Sequence, residues 1–187
     1  MVKPSKKRPR GSAVPHSGLG TNRYVIFRKA AERIKDAYHA GYYLDALALV
    51  ASILEDRLHS RLAHLTKPKE IPGSFGAMLR ELIGREEGDF LAVVKAIDEW
   101  RPKRNDRIHG MSKLEDLNGP RWEERLAGLA HSTAEGMELL LQFDALDAAA
   151  RRNAGPPARP PATWPDALQP LREALDGGAP APVFAAR

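Results

Sequence analysis

The chain is 187 residues long, with 43% apolar and 28% charged residues, a size and balance that suit one soluble domain with tails. It contains no cysteine, which excludes disulfides, thiolate catalysis and cysteine-ligated zinc. The formal net charge of +5 belongs to the N-terminus: Lys3, Lys6, Lys7, Arg8 and Arg10 stand together without an acid, and the rest balances at 24 basic against 24 acidic residues.

Residues 1–20 are rich in proline and glycine and poor in apolar residues, so the expectation is a disordered basic tail. Such a tail attracts RNA, DNA or an acidic partner by charge alone, or is simply a solvated terminus. Thr21 or Asn22 can cap a first helix, whose apolar face is Tyr24, Phe27, Ala31, Ile34 and Tyr38. Gly41 ends it. A second helix over about 42–66 has the strongest stripe in the chain: Leu44, Leu47, Ala51, Leu54, Leu58, Leu62 and Leu65. Lys67-Pro68 and Ile71-Pro72-Gly73 break it. Ser74 caps a short third helix containing Phe75, Met78, Leu79 and Leu82.

A fourth helix starts near Asp89 with Phe90, Val93, Ala96, Ile97 and Trp100 on its apolar side. Pro102 predicts a break or kink there, with a new helical turn over 103–109. Helix five covers about 121–151 and carries Trp122, Leu126, Leu129, Met137, Leu140, Leu141 and Leu146. The composition then turns to Pro, Ala and Gly over 153–187, with one short amphipathic segment near 165–176 that either docks as a short helix or floats. The expected architecture is all-α: a bundle of about five helices over 21–152, between tails 1–20 and 153–187. The longest apolar stretch, Ala46 to Leu54, is too short to span a bilayer, and no apolar segment follows the basic start as a signal peptide requires, so a cytoplasmic protein is expected.

The chemistry concentrates in Arg104-Asn105-Asp106-Arg107-Ile108-His109. Metal-free RNA cleavage needs a base for the ribose 2′-hydroxyl, an acid for the leaving 5′-oxygen, and a cation for the phosphorane. Histidine is suited to either proton transfer. Arginine grips phosphate with a planar fork. Asparagine hydrogen-bonds phosphate, ribose or histidine without competing for protons. A helix start just before the segment would add backbone N–H donors. Arginine followed by histidine with four to six residues between occurs five times in the chain, and so discriminates little. The strict form, with asparagine after the arginine and four residues between Arg and His, occurs once, where chance gives roughly 0.01.

On these residues, and on the order of the helices over about 22–150, the chain resembles the HEPN superfamily. These are helical bundles whose ribonuclease members carry Arg-Asn-x-x-x-His at the start of a late helix. The resemblance implies a metal-independent endoribonuclease, needing no cofactor, whose homodimer places one motif from each protomer in a shared cleft. Arg104 would bind the scissile phosphate, Asn105 would orient substrate or histidine, and His109 would be the base or acid. The products would be 2′,3′-cyclic phosphate and 5′-hydroxyl ends. Glu55, on the long second helix, would support Arg104 or His109; read as a bare residue it belongs to an exposed acidic face. The resemblance also implies a toxin or phage-defence role, with RNA as substrate and a nucleotidyltransferase-like antitoxin as partner. Some members carry a tyrosine two residues after the histidine that such a partner modifies; here that position is Met111.

The alternative is a catalytically silent HEPN-like interaction or regulatory module that binds a protein or nucleic acid. His131 and Glu135 share a helix face, but one pair lacks the ligand count of a metal site. Trp100 and Trp122 fall on apolar stripes and read as core in preference to base-stacking platforms. No glycine-rich phosphate loop, Gly-x-Ser-x-Gly elbow or His-Glu-x-x-His motif is present.

Overall fold

The computed structural model describes residues 16–66, 70–112, 119–153 and 166–178, with side chains over 24–66, 70–111, 121–151 and 166–178. Among the described residues there are six α-helices and no strand, so the all-α expectation holds. No helix among them is long and apolar enough to cross a membrane.

Helix α1 (His16–His39) buries Phe27, Ala31, Ile34 and Tyr38, the stripe expected from its spacing. It begins at His16, inside the stretch expected to be disordered and upstream of Thr21 and Asn22. Once the Phe27–Tyr38 face is docked, each further backbone hydrogen bond extends the helix at little cost, even through Gly18 and Gly20. Residues 1–15 lie outside the described residues. The helix closes on Gly41 at φ +79°. The Tyr42 amide donates to the Ala37 carbonyl at 2.8 Å and the Gly41 amide to Tyr38 at 3.1 Å, the paired bonds of a Schellman cap. This reversal sets α2 (Tyr43–Leu65) beside α1. Leu47, Ala51, Leu54, Leu58 and Leu62 of its stripe are buried, whereas Leu44 and Leu65 at its ends are partly exposed.

Ser74 caps α3 (Phe75–Ile83) through its hydroxyl, which accepts from the Ala77 amide. Helix α4 (Gly88–Ser112) then runs unbroken through Pro102, which corrects the expected break. An interior proline costs about 3 kcal/mol. Burying a tryptophan of ~200 Å² at ~25 cal/mol per Å² returns about 5 kcal/mol, and Trp100 is completely buried here. Its indole Nε1–H also donates to the Ser132 carbonyl at 2.8 Å. Pro102 itself is exposed, on the outer side where helices bend most easily.

Helix α5 (Gly119–Asn153) packs against both α2 and α4. The short C-terminal amphipathic segment is also structured: α6 (Gln169–Asp176) buries Leu168, Leu171 and Ala174 against α1 and α5. Lys35 pairs with Glu173 at 2.6 Å and Arg28 donates to the Asp166 carbonyl at 3.1 Å. Of the two alternatives for this segment, docked or floating, the structure has the docked one; residues 154–165 and 179–187 lie outside the described residues.

The α4–α5 seam is set by Trp100 and Gly136. A Cβ built on Gly136 would lie 2.6 Å from Trp100 Cζ2 and 3.0 Å from Val50 Cγ1. In an open helix Gly→Ala stabilises by up to ~1 kcal/mol. Here the sign should reverse, because the indole cannot retreat. Gly136→Ala is expected to destabilise by about 1–3 kcal/mol, read as a lowered urea midpoint at unchanged slope.

Candidate functional site

Because α4 is continuous, the Arg104–His109 segment lies in the second half of one helix, with His109 in its last turn. The backbone amides of a helix start, expected to help hold a phosphate, are therefore committed to intrahelical bonds. Five residues along a helix separate Arg104 from His109 by about 7.5 Å of rise and about 140° of rotation. Asn105 and His109, four apart, share a face. Both are turned away from Arg104, Asn105 by about 100° and His109 by about 140°. Asn105 is half-buried and His109 is exposed.

Arg104 is half-buried between helices. Its guanidinium carbon lies 5.7 Å from the Phe75 ring centroid and 5.7 Å from that of Trp100. Its Nε is buried without a hydrogen-bond partner, and Arg104 forms no ion pair among the described residues. Burial holds the guanidinium below the ordinary arginine value; Glu55 opposes this shift and Arg101 adds to it. Glu55 is thus close enough to bias Arg104 electrostatically, although it is exposed and makes no ion pair with it.

The other two arginines packed on aromatic rings behave differently. Arg57 lies over Phe27 at 4.1 Å and pairs with Asp144 at 2.8 Å. Arg61 lies over Phe90 at 4.5 Å, meets Glu86 through two bonds of 2.7 and 3.1 Å and has Asp147 at 3.6 Å. A partly desolvated cation ordinarily keeps a carboxylate. Arg104 has two aromatic neighbours and no ion-paired carboxylate among the described residues.

Arg101 strengthens the local positive field. It pairs with Asp98 at 3.1 Å, and its guanidinium lies 3.4 Å from where a Cβ on Gly76 would stand. It therefore rests, like Arg104, against the first turn of α3, whose dipole is positive at that end. Sequence reasoning missed Phe75 and Arg101 as neighbours of Arg104, since nothing local announces a contact between α3 and α4. Elsewhere, Trp100 is core as expected. His131 is exposed and Glu135 is engaged by Lys103 at 3.1 Å. No group of three or more His, Asp or Glu side chains fit to hold a metal exists among the described residues.

No family model, curated protein or solved structure matches the chain.

If Arg104 is kept for an anion and not for the fold, a neutral side chain of similar length should serve stability equally well. Arg104→Met is expected to leave the unfolding free energy unchanged within about 0.5 kcal/mol or to raise it. A loss above about 1 kcal/mol in chemical denaturation would mark the residue as structural.

Proposed function

We propose that this protein is a cytoplasmic, metal-independent endoribonuclease of the HEPN type, acting as a homodimer in a toxin or phage-defence role. The observation that carries this reading is Arg104, a desolvated guanidinium without a carboxylate, one residue before Asn105 and on the same helical segment as the exposed His109.

In the proposed reaction Arg104 binds the scissile phosphate and stabilises charge as the phosphorane forms. A histidine removes the proton of the ribose 2′-hydroxyl, the 2′-oxygen attacks phosphorus, and the 5′-oxygen leaves with a proton from an acid. With one motif from each protomer, one His109 serves as base and its partner copy as acid. Asn105 orients the ribose or the imidazole. The ends are a 2′,3′-cyclic phosphate and a 5′-hydroxyl. Glu55 tempers the charge of Arg104 without neutralising it. A nucleotidyltransferase-like antitoxin belongs to the same proposal, but Met111 offers no phenol for it to modify at that position.

The test is cleavage of several RNAs in excess EDTA. Wild type should cut and leave cyclic phosphate. Arg104→Ala and His109→Ala should each lose at least about 100-fold in rate, with circular dichroism and oligomeric state unchanged. Retained cleavage in either variant would sink the assignment. No cleavage by folded, dimeric wild type would favour the silent interaction module.

A further inference from the structure

Arg104 is not the arginine that shares a helical face with His109. Arg101, Asn105 and His109 stand at intervals of four along α4, and each interval turns by about 40° and rises by about 6 Å. They form one stripe within about 80° of arc. Arg104 lies about 60° to the other side of Arg101 and about 4.5 Å further along the axis. The stripe that ends in His109 therefore begins in a second arginine, outside the Arg-Asn-x-x-x-His string.

Two contacts fix Arg101. Its Nε donates to Asp98 Oδ1 at 3.1 Å, and its guanidinium rests against α3 at Gly76, where a Cβ would stand 3.4 Å from Cζ and 3.6 Å from Nη1. The terminal nitrogens of the fork make no hydrogen bond among the described residues. About a third of each side chain in the Arg101–Asp98 pair is exposed, at 32% and 34%, so the pair is weak and an anion can compete with Asp98. Arg101 is also near enough to Arg104 for its charge to lower the Arg104 pKa. Two like charges thus stand close together with Asp98 as their one ion-paired carboxylate among the described residues. Consecutive phosphates on one strand would neutralise both. The stripe from Arg101 to His109 is about 12 Å long, and even a fully stacked strand advances about 3.4 Å per phosphate, so the stripe extends beyond a single phosphate.

Resting on the ribonuclease reading above, we propose that Arg101 binds the phosphate next to the scissile one. The preferred substrate is then an RNA strand of at least three nucleotides, laid along α4 from His109 towards α3. Arg104 holds the phosphate that reacts, and Arg101 holds its neighbour and sets the register of the strand. Asp98 occupies the Arg101 fork until the RNA arrives.

The test compares full-length protein on a dinucleoside monophosphate, which carries only the scissile phosphate, and on a trinucleotide, which carries one more. Wild type should cut the trinucleotide with a kcat/KM about 10-fold higher or more. Arg101→Gln should bring the trinucleotide down to the level of the dinucleoside monophosphate and change the latter by less than about 2-fold. Arg107→Gln removes an exposed arginine that lies against Gly128 on α5. It controls for loss of charge alone and should leave the ratio of the two substrates unchanged. Binding is read separately in the His109→Ala background, by fluorescence anisotropy of a labelled RNA hexanucleotide over a range of salt. There Arg101→Gln should flatten the slope of log K against log salt by about 0.7, and Arg101→Lys, which keeps the charge without the fork, should restore it. If folded wild type cuts neither RNA, the ribonuclease reading fails, and the salt slope alone decides whether Arg101 holds a phosphate. An equal loss on both substrates in Arg101→Gln, the same loss in Arg107→Gln, or an unchanged salt slope overturns the proposal.

Discussion

The Trp100 indole, closed in by Gly136 and Val50 and bonded to the Ser132 carbonyl, sets how α4 lies on α5. Everything on the outer half of α4 inherits its position from that contact. Arg104 is one turn further along, with the Trp100 ring as one of its two supports. Arg107 and Lys103 face α5, where Gly128 and Glu135 receive them. The same ring explains why an interior proline is tolerated. Bending the helix away at Pro102 would expose about 200 Å² of indole and strand its N–H, which costs more than the hydrogen bond that proline forgoes.

The arginines of this bundle divide by what compensates their burial. Arg61 joins α2 to Glu86, before α4, and to Asp147 on α5. Arg151 adds a 2.6 Å bond to Asp147 and a bond to Ser60. The Arg61 pairs and the Arg151–Ser60 bond link elements, and Glu86 and Asp147 are more buried than the guanidiniums they meet. The burial that raises the Asp144 carboxyl, against the pull of Arg57, belongs to the same region. Arg104 links nothing by charge. A protein that needed only to fill the space between Phe75 and Trp100 would do so better with an uncharged chain. In the proposed function, retaining a cation there sets local stability against the capacity to take up an anion, a tension common at functional sites.

Much of this was legible in the sequence where periodicity reports burial directly. The Phe27–Tyr38 and Leu47–Leu62 stripes, the Ser74 cap and the turn at Gly41 all depend on residues within one or two turns of each other. Misreadings arose where distant contacts overrode local rules. Pro102 reads as a break only if nothing holds both halves of α4 in place, and the partners that do, Ser132 and Gly136 for Trp100 and Glu135 for Lys103, are each more than thirty residues from the side chain they meet. Helix α6 is too short to stand alone, and its order rests on α1. The Arg-Asn-x-x-x-His string was visible by spacing, but the lack of an ion pair at Arg104 among the described residues was not, because it depends on how close α2 and α3 bring their acids. Gly128 offered a faint signal, since a glycine inside a long helix often marks a close approach, but its partner could not be named.

The five-residue spacing on an unbroken helix also bears on how the motif would work. A single convex helix presents Arg104 and His109 about 140° apart, so it cannot by itself surround a phosphate. On the Arg104 side, α3 supplies a wall through Phe75 and the positive end of its first turn. On the other side, Asp106 and His109 are exposed. In the proposed function, a concave, water-poor cleft in which a guanidinium and an imidazole act on one phosphodiester takes a second surface from the partner copy. In the proposed homodimer, two-fold symmetry would set the exposed His109 face of each copy opposite its equivalent. That arrangement would supply two imidazoles for the two proton transfers, which one His109 could carry out only by changing roles within a single turnover.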